Sequence, residues 1–300
     1  MRLRLREPDS GRFRASFRAL VPAIVTVVLA WTVFAFVFRS VGNAVDFGIF
    51  ALYGEILLRW LPVLLIGVWF VLKLDRRPFR EYGFEIDRRW GRDFTAGVFI
   101  TLLSFGLAWI VGYVRGTITL ESQLQSSVEA PISVAIVGCS VLGHFFVQNV
   151  YEEFMYRGVM LQNFVEGARA RGLSVGWAVV VATVTSLLFF ALYHVPRGFV
   201  LVVDSLFVGI TFAVPYLLTG SLGLSIGVHF GRIASSFLVV GDGYGGEDGL
   251  LEGVGVLTLQ TDGFAVFAVV WIVVAVVLVT VWVRMTRGEV RLARNVSGRS

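Results

Sequence analysis

Eight apolar runs, each close to the roughly 20 residues that a helix needs to cross a bilayer, constrain this chain more than any other feature. They cover residues 20–38, 56–74, 94–114, 131–154, 177–193, 199–218, 222–240 and 264–283. The fold class they imply is all-α: a polytopic membrane helix bundle of about eight transmembrane helices. Composition agrees, because only 16% of the residues are charged, whereas soluble domains run near a quarter. A soluble enzyme is excluded. The single cysteine, Cys139, lies inside an apolar run, builds no disulfide framework and reads as a small buried hydrophobe.

Basic residues set the expected orientation. The arm before the first run carries six arginines, the stretch 73–93 seven Lys/Arg, the stretch after the fourth run Arg157, Arg169 and Arg171, and the tail five more, from Arg284 to Arg299. With an even number of spans, 21 of the 26 basic residues then fall on one side. The positive-inside rule makes that side cytoplasmic, with both termini inside a multi-pass cell-membrane protein. No small-residue cleavage site follows the first run, which therefore reads as a retained anchor. The opposite loop, 241–263, holds Asp242, Glu247, Asp248, Glu252 and Asp262 and no basic residue, and reads as a flexible solvated loop. Because the arginine clusters flank spans and no nucleic-acid motif interleaves with them, the net charge of +5 reflects topology and no nucleic-acid partner is expected. In the stretch 73–93, charges alternate with Phe79, Tyr82, Phe84 and Trp90, the pattern of a headgroup anchor.

Against this apolar background three polar features stand out. The first is Tyr151-Glu152-Glu153-Phe154-Met155-Tyr156-Arg157-Gly158, at the end of the fourth run. Burying two adjacent carboxylates at membrane depth costs several kcal/mol, by order of magnitude, so something must offset it. On a helix Glu153 and Arg157 share a face as an i, i+4 ion pair, while Glu152 is rotated about 100° away. One carboxylate is then structural and the other available; the competing reading places both at the headgroup boundary, facing solvent. The second feature is Phe190-Ala191-Leu192-Tyr193-His194, whose ends share a helix face, and the third is His229, well inside the seventh run and followed by Arg232. A carboxylate with two imidazoles is able to bind and deprotonate water and to stabilise an oxyanion, directly or through a metal. The remaining histidine, His144, is assigned to packing or to hydrogen bonding behind the site.

These three features, in this order and on separate spans, resemble the CPBP family of intramembrane proteases. That family includes the type II CAAX prenyl endopeptidases and the Abi, or bacteriocin-immunity, proteins. The resemblance rests on Glu152-Glu153-x-x-x-Arg157, Phe190-x-x-x-His194 and His229, and covers roughly residues 76–237. It implies peptide-bond hydrolysis within the membrane, in which Glu152 and His194 activate a water, Glu153 and Arg157 brace the site, and His229 helps hold the oxyanion. No cofactor is implied; zinc, held by His194, His229 and a Glu, is the alternative, although His-Glu-x-x-His is lacking. The chain departs from the family's last motif, His-x-x-x-Asn, because the fourth residue after His229 is Ile233. Arg232, Ser235 or Ser236 is then expected to supply the missing donor, and a catalytically impaired scaffold or immunity protein of the same fold is the competing outcome. Expected partners are membrane lipid and a hydrophobic or prenylated peptide or membrane-protein substrate.

The chain divides accordingly into an N-terminal basic arm with two spans (1–75), a CPBP-like catalytic core (76–240), and an acidic loop, last span and basic tail (241–300). One geometric condition follows. A fifth helix running outward from Trp177 carries His194 about 25 Å along its axis. Glu152 meets it only if the fourth helix continues past Arg157 through Met160, Leu161 and Phe164, which sets Glu152 near mid-membrane.

Overall fold

The computed structural model describes residues 11–45, 50–121, 131–236, 258–261 and 264–297. It is the expected all-α bundle, made of α1 (Ala15–Trp31), α2 (Val33–Ala44), α3 (Ala51–Glu55), α4 (Leu61–Leu74), α5 (Arg88–Val114), α6 (Pro131–Glu153), α7 (Gln162–Arg169), α8 (Val175–Leu192), α9 (Phe199–Thr219), α10 (Leu222–Ser235), α11 (Phe264–Arg287) and α12 (Arg294–Ser297). Among the described residues, six helical segments are long and apolar enough to cross a membrane. They are Ala15–Ala44, Ala51–Leu74, Arg88–Val114, Val175–Leu192, Phe199–Thr219 and Phe267–Arg287. The fourth and seventh apolar runs correspond to α6 and α10, the two helices that carry the ionisable residues inward. Large apolar side chains such as Phe36, Phe99 and Phe207 lie exposed on the outside, the arrangement of a chain solvated by lipid.

Outside the bundle, two strands, β1 (Ile118–Glu121) and β2 (Thr258–Thr261), form an antiparallel ribbon with Ile118 opposite Thr261. The end of the acidic loop is thus paired; its residues 241–257 lie outside the described residues. Cys139 corrects its sequence reading, since it is exposed on α6.

Helix boundaries follow local chemistry. The side chain of Asp87 accepts from the backbone N–H of Trp90 at 2.7 Å and starts α5; Ser174 starts α8 in the same way through Trp177. Gly220 ends α9 at φ 67°, a left-handed position that favours glycine, and Ser221 then caps α10. α5 and α10 approach so closely that a Cβ on Gly227 would fall 2.1 Å from the Phe94 carbonyl oxygen. Small residues allow that contact. The Thr101 hydroxyl then donates to the Val228 carbonyl at 3.0 Å and pins α10 beside His229.

Between α6 and α7 the helix does not stop. Residues Phe154–Leu161 form a π-helical stretch, so that Pro131–Arg169 is one continuous rod. π-helical turns recur at functional sites because they re-aim side chains within a helix. Here the extra length carries the chain onward through Met160, Leu161 and Phe164, and Glu152 lies far from the rod's end.

The basic end of the bundle is fastened by buried ion pairs. Asp75, 1% exposed, accepts from Tyr82 at 2.9 Å, from Asn163 at 3.0 Å and from Arg18, while Glu166 pairs with Arg12, Arg18 and Arg77. These contacts tie α1, α4 and α7 to the segment 75–82. The aromatics of the 73–93 stretch turn inward: Phe79 and Phe84 stack on each other and meet Phe154, and Tyr82 is fully buried. The charged residues Arg76, Arg80, Glu85 and Arg88 stay exposed, so this segment is part clamp and part surface.

Burial works to raise the Asp75 carboxyl, but the guanidiniums of Arg77 and Arg18 and the Asn163 amide outweigh it and hold the group below the usual carboxylate range. A depressed carboxyl contributes stability that is complete above its unfolded value of about 4 and is lost as pH falls through the folded value. The thermal midpoint in detergent is therefore expected to drop as pH falls below about 4. Asp75→Asn should lower the midpoint at pH 7 and flatten that acid limb; an unchanged limb would show that other carboxylates carry it.

Candidate active site

Four helices deliver the polar residues to one buried cluster. α6 supplies Gln148, Glu152 and Glu153, the π-helical stretch supplies Arg157, α10 supplies Ser225 and His229, and the end of α8 brings Phe190 and His194. Glu152, Glu153, Arg157, His194 and His229 are all buried.

Glu153 is the more heavily bonded carboxylate. Its Oε1 lies 3.0 Å from Arg157 Nη1 and 2.8 Å from His229 Nδ1. The Ser225 hydroxyl lies against Oε2 and also 2.6 Å from the Phe212 carbonyl, so its single proton serves one acceptor at a time. Arg157 in turn donates through Nη2 to the Gly209 carbonyl at 3.2 Å, and its guanidinium lies 4.3 Å from the Phe190 ring centroid. A buried charge pair is tolerable in a dry site when hydrogen bonds and π faces occupy its remaining sites. Glu153 meets that condition; Arg157 meets it in part, its Nη1 lying 3.0 Å from the Glu153 carboxylate without an aligned hydrogen bond.

Glu152 has a different environment. One oxygen, Oε1, accepts from Gln148 Nε2 at 2.7 Å; the other, Oε2, stands 3.7 Å from His229 Nε2, beyond a direct hydrogen bond. His229 is held flat on the Phe212 ring, centroids 4.0 Å apart and planes 15° from parallel. Its orientation is fixed from two directions, by that stack and by Glu153.

His194 lies just past α8, in the turn before Val195. Its Nδ1 is 2.8 Å from the Phe190 carbonyl oxygen, an atom that only accepts, so Nδ1 carries the proton and Nε2 is the acceptor nitrogen of the neutral ring. Phe190 meets both imidazoles edge-on, with centroid separations of 5.0 Å to His194 and 5.9 Å to His229, and meets Tyr156 at 5.4 Å. The end of α8 thus reaches the level of the π-helical stretch, which is how the depth condition is met. His144 sits two turns before Glu152, edge-on to Trp60 and with Nδ1 3.5 Å from Glu55.

Sequence reading missed Gln148, Ser225, Phe212 and the Gly209 carbonyl. Gln148 and Ser225 had a signal: each lies four residues before a recognised polar residue, Glu152 and His229, and so shares its helix face. Phe212 looks like any other core aromatic, and Gly209 contributes only a backbone oxygen, made accessible where a side chain would meet Leu187 at 2.7 Å.

Among comparisons with known proteins, residues 136–232 match a family model described as Rce1-like, type II CAAX prenyl endopeptidase. The core is similar to that family. The match covers about a third of the chain and contains all three polar features, from Glu152 to His229. It ends at Arg232, one residue before Ile233, where the chain departs from the family's last motif. Curated proteins and solved structures gave no significant match. The match supports the resemblance to the CPBP proteases, and the six long apolar helices among the described residues make this a multi-pass membrane protein.

Proposed function

We propose that this protein cleaves a peptide bond at the membrane with a water activated by Glu152. The observation that carries the reading is the division of labour between adjacent carboxylates: Glu153 is braced by Arg157, Ser225 and His229, whereas Glu152, on the next position of the helix, lies buried 3.7 Å from the His229 Nε2. Glu152 takes a proton from water as the new C–O bond forms, and His194 Nε2 helps to orient that water. The tetrahedral oxyanion collapses as the proton on Glu152 passes to the leaving nitrogen, breaking the C–N bond and leaving a carboxylic acid and an amine. With its Nδ1–H committed to Glu153, His229 donates to the oxyanion through Nε2 only as imidazolium. The family model's description favours a prenylated CAAX peptide as substrate, and an apolar bundle suits an isoprenoid tail. Arginine placement puts both termini in the cytoplasm.

Zinc chemistry is the rival mechanism. The geometry fits it poorly, because among the described residues no three His, Cys, Asp or Glu side chains are grouped so as to hold a metal ion. Purified protein is expected to cleave a farnesylated CAAX peptide carrying a fluorophore and quencher across the scissile bond, at a rate that phenanthroline leaves unchanged. Loss of cleavage with chelator, restored by zinc, would replace the glutamate mechanism. A folded protein that cleaves nothing across a panel of such peptides would support the scaffold reading prompted by Ile233.

A further inference from the structure

Asn149 is fully buried, and among the described residues neither its amide nitrogen nor its amide oxygen has a hydrogen-bond partner. A polar group in that condition costs stability that a leucine of nearly the same size would avoid. Its place in the helix is informative. At 100° per residue, Asn149 projects about 60° from Glu152 on one side and about 40° from Glu153 on the other, one turn earlier. It therefore lies between the two carboxylates in projection, on the face that meets His229.

α6 and α10 run antiparallel here. Ser225 touches Glu153, whereas Phe230, further along α10, meets Phe146, further back along α6, with centroids 5.8 Å apart. Carried along the two helices, that register sets Asn149 level with His229, while Ile233 lies one turn further along α10. Ile233 is apolar and donates nothing. The neighbouring candidates on α10 are engaged elsewhere: Arg232 pairs with Asp204 at 2.6 Å, and the Ser235 hydroxyl donates to Gly231 at 2.7 Å.

From this juxtaposition we infer that Asn149 Nδ2 donates a hydrogen bond to the oxyanion of the tetrahedral intermediate, so that the donor missing from α10 comes from α6. The inference rests on the protease reading above. It explains why an amide with neither polar atom bonded persists beside the two carboxylates: its partner exists only during the reaction, as differential stabilisation of a transition state requires.

The test compares wild type, Glu152→Gln, Asn149→Leu and Asn149→Leu/Ile233→Asn on the farnesylated fluorogenic peptide, with thermal melts of each. Asn149→Leu is expected to lower kcat by about 10² to 10³ while KM stays within about twofold and the midpoint holds or rises. Adding Ile233→Asn should recover much of the lost kcat, because it returns an amide donor to α10 one turn beyond His229. Asn149→Ala, which adds no bulk, answers the same question if leucine does not fit. Wild-type kcat in Asn149→Leu, beside an inactive Glu152→Gln, would overturn the role of Asn149 and leave the protease reading standing. A loss expressed only in KM, or one that Ile233→Asn leaves unrepaired, would mark substrate contact or packing and also overturn it. A wild type inactive on the peptide would remove both readings together.

Discussion

Glu152→Gln is expected to reduce kcat by about 10² to 10⁴, the usual contribution of a positioned general base, with little change in KM or thermal midpoint. The substitution keeps the shape of the side chain and an oxygen that accepts from Gln148, so the local hydrogen bond at 2.7 Å survives. It removes only the capacity to take a proton from water. Glu153→Gln should behave differently. Glu153 anchors Arg157 and His229, so its neutralisation leaves a buried guanidinium without its anion and loosens the hold on the imidazole, and both stability and rate should fall. The contrast is the informative quantity: a carboxylate that acts on substrate loses rate alone, whereas one that acts through other residues loses both. Equal activity of Glu152→Gln and wild type in single-turnover cleavage would defeat the mechanism.

Much of this is legible in the sequence, for identifiable reasons. Membrane spans declare themselves through length and hydropathy, and the i, i+4 rule is enough to join Glu153 to Arg157. The continuation of the fourth helix through Phe164 also follows, because His194 and Glu152 have no other way to share a level. What stays hidden depends on contacts between helices. The π-helical stretch Phe154–Leu161 has no sequence signature in this chain, and the Gly209 carbonyl is one of many identical backbone oxygens. The segment 73–93 misleads in an instructive way. Alternating arginines and aromatics suit a headgroup anchor, but Asp75 finds Arg18 on another helix, and that buried pair draws Tyr82 and its neighbours inward. A carboxylate adjoining a span shows in the sequence, whereas its distant partner does not.

The second large effect is expected at Arg157. Replacing it with methionine keeps most of the volume packed between Phe190 and Phe212 but strands Glu153 as a buried anion, a change that typically costs about 3 to 5 kcal/mol. Arg157→Met should therefore melt well below wild type in detergent. Glu153→Gln in the same chain should restore part of the loss, since glutamine carries no unpaired charge, its amide oxygen still accepts from His229, and Ser225 keeps the Phe212 carbonyl as acceptor. The double variant melting above Arg157→Met is the signature of direct coupling between the two charges; additive losses would place the stabilisation in the cation–π contacts instead. Activity then separates structure from chemistry. Restored folding without restored cleavage would mean that the ion pair also fixes the His229 ring at its 3.7 Å separation from Glu152, because a neutral glutamine holds Nδ1–H less firmly than the carboxylate does. The charge pair would in that case set the imidazole's position for the carboxylate that does the chemistry, which explains why two glutamates are spent where one acts on water.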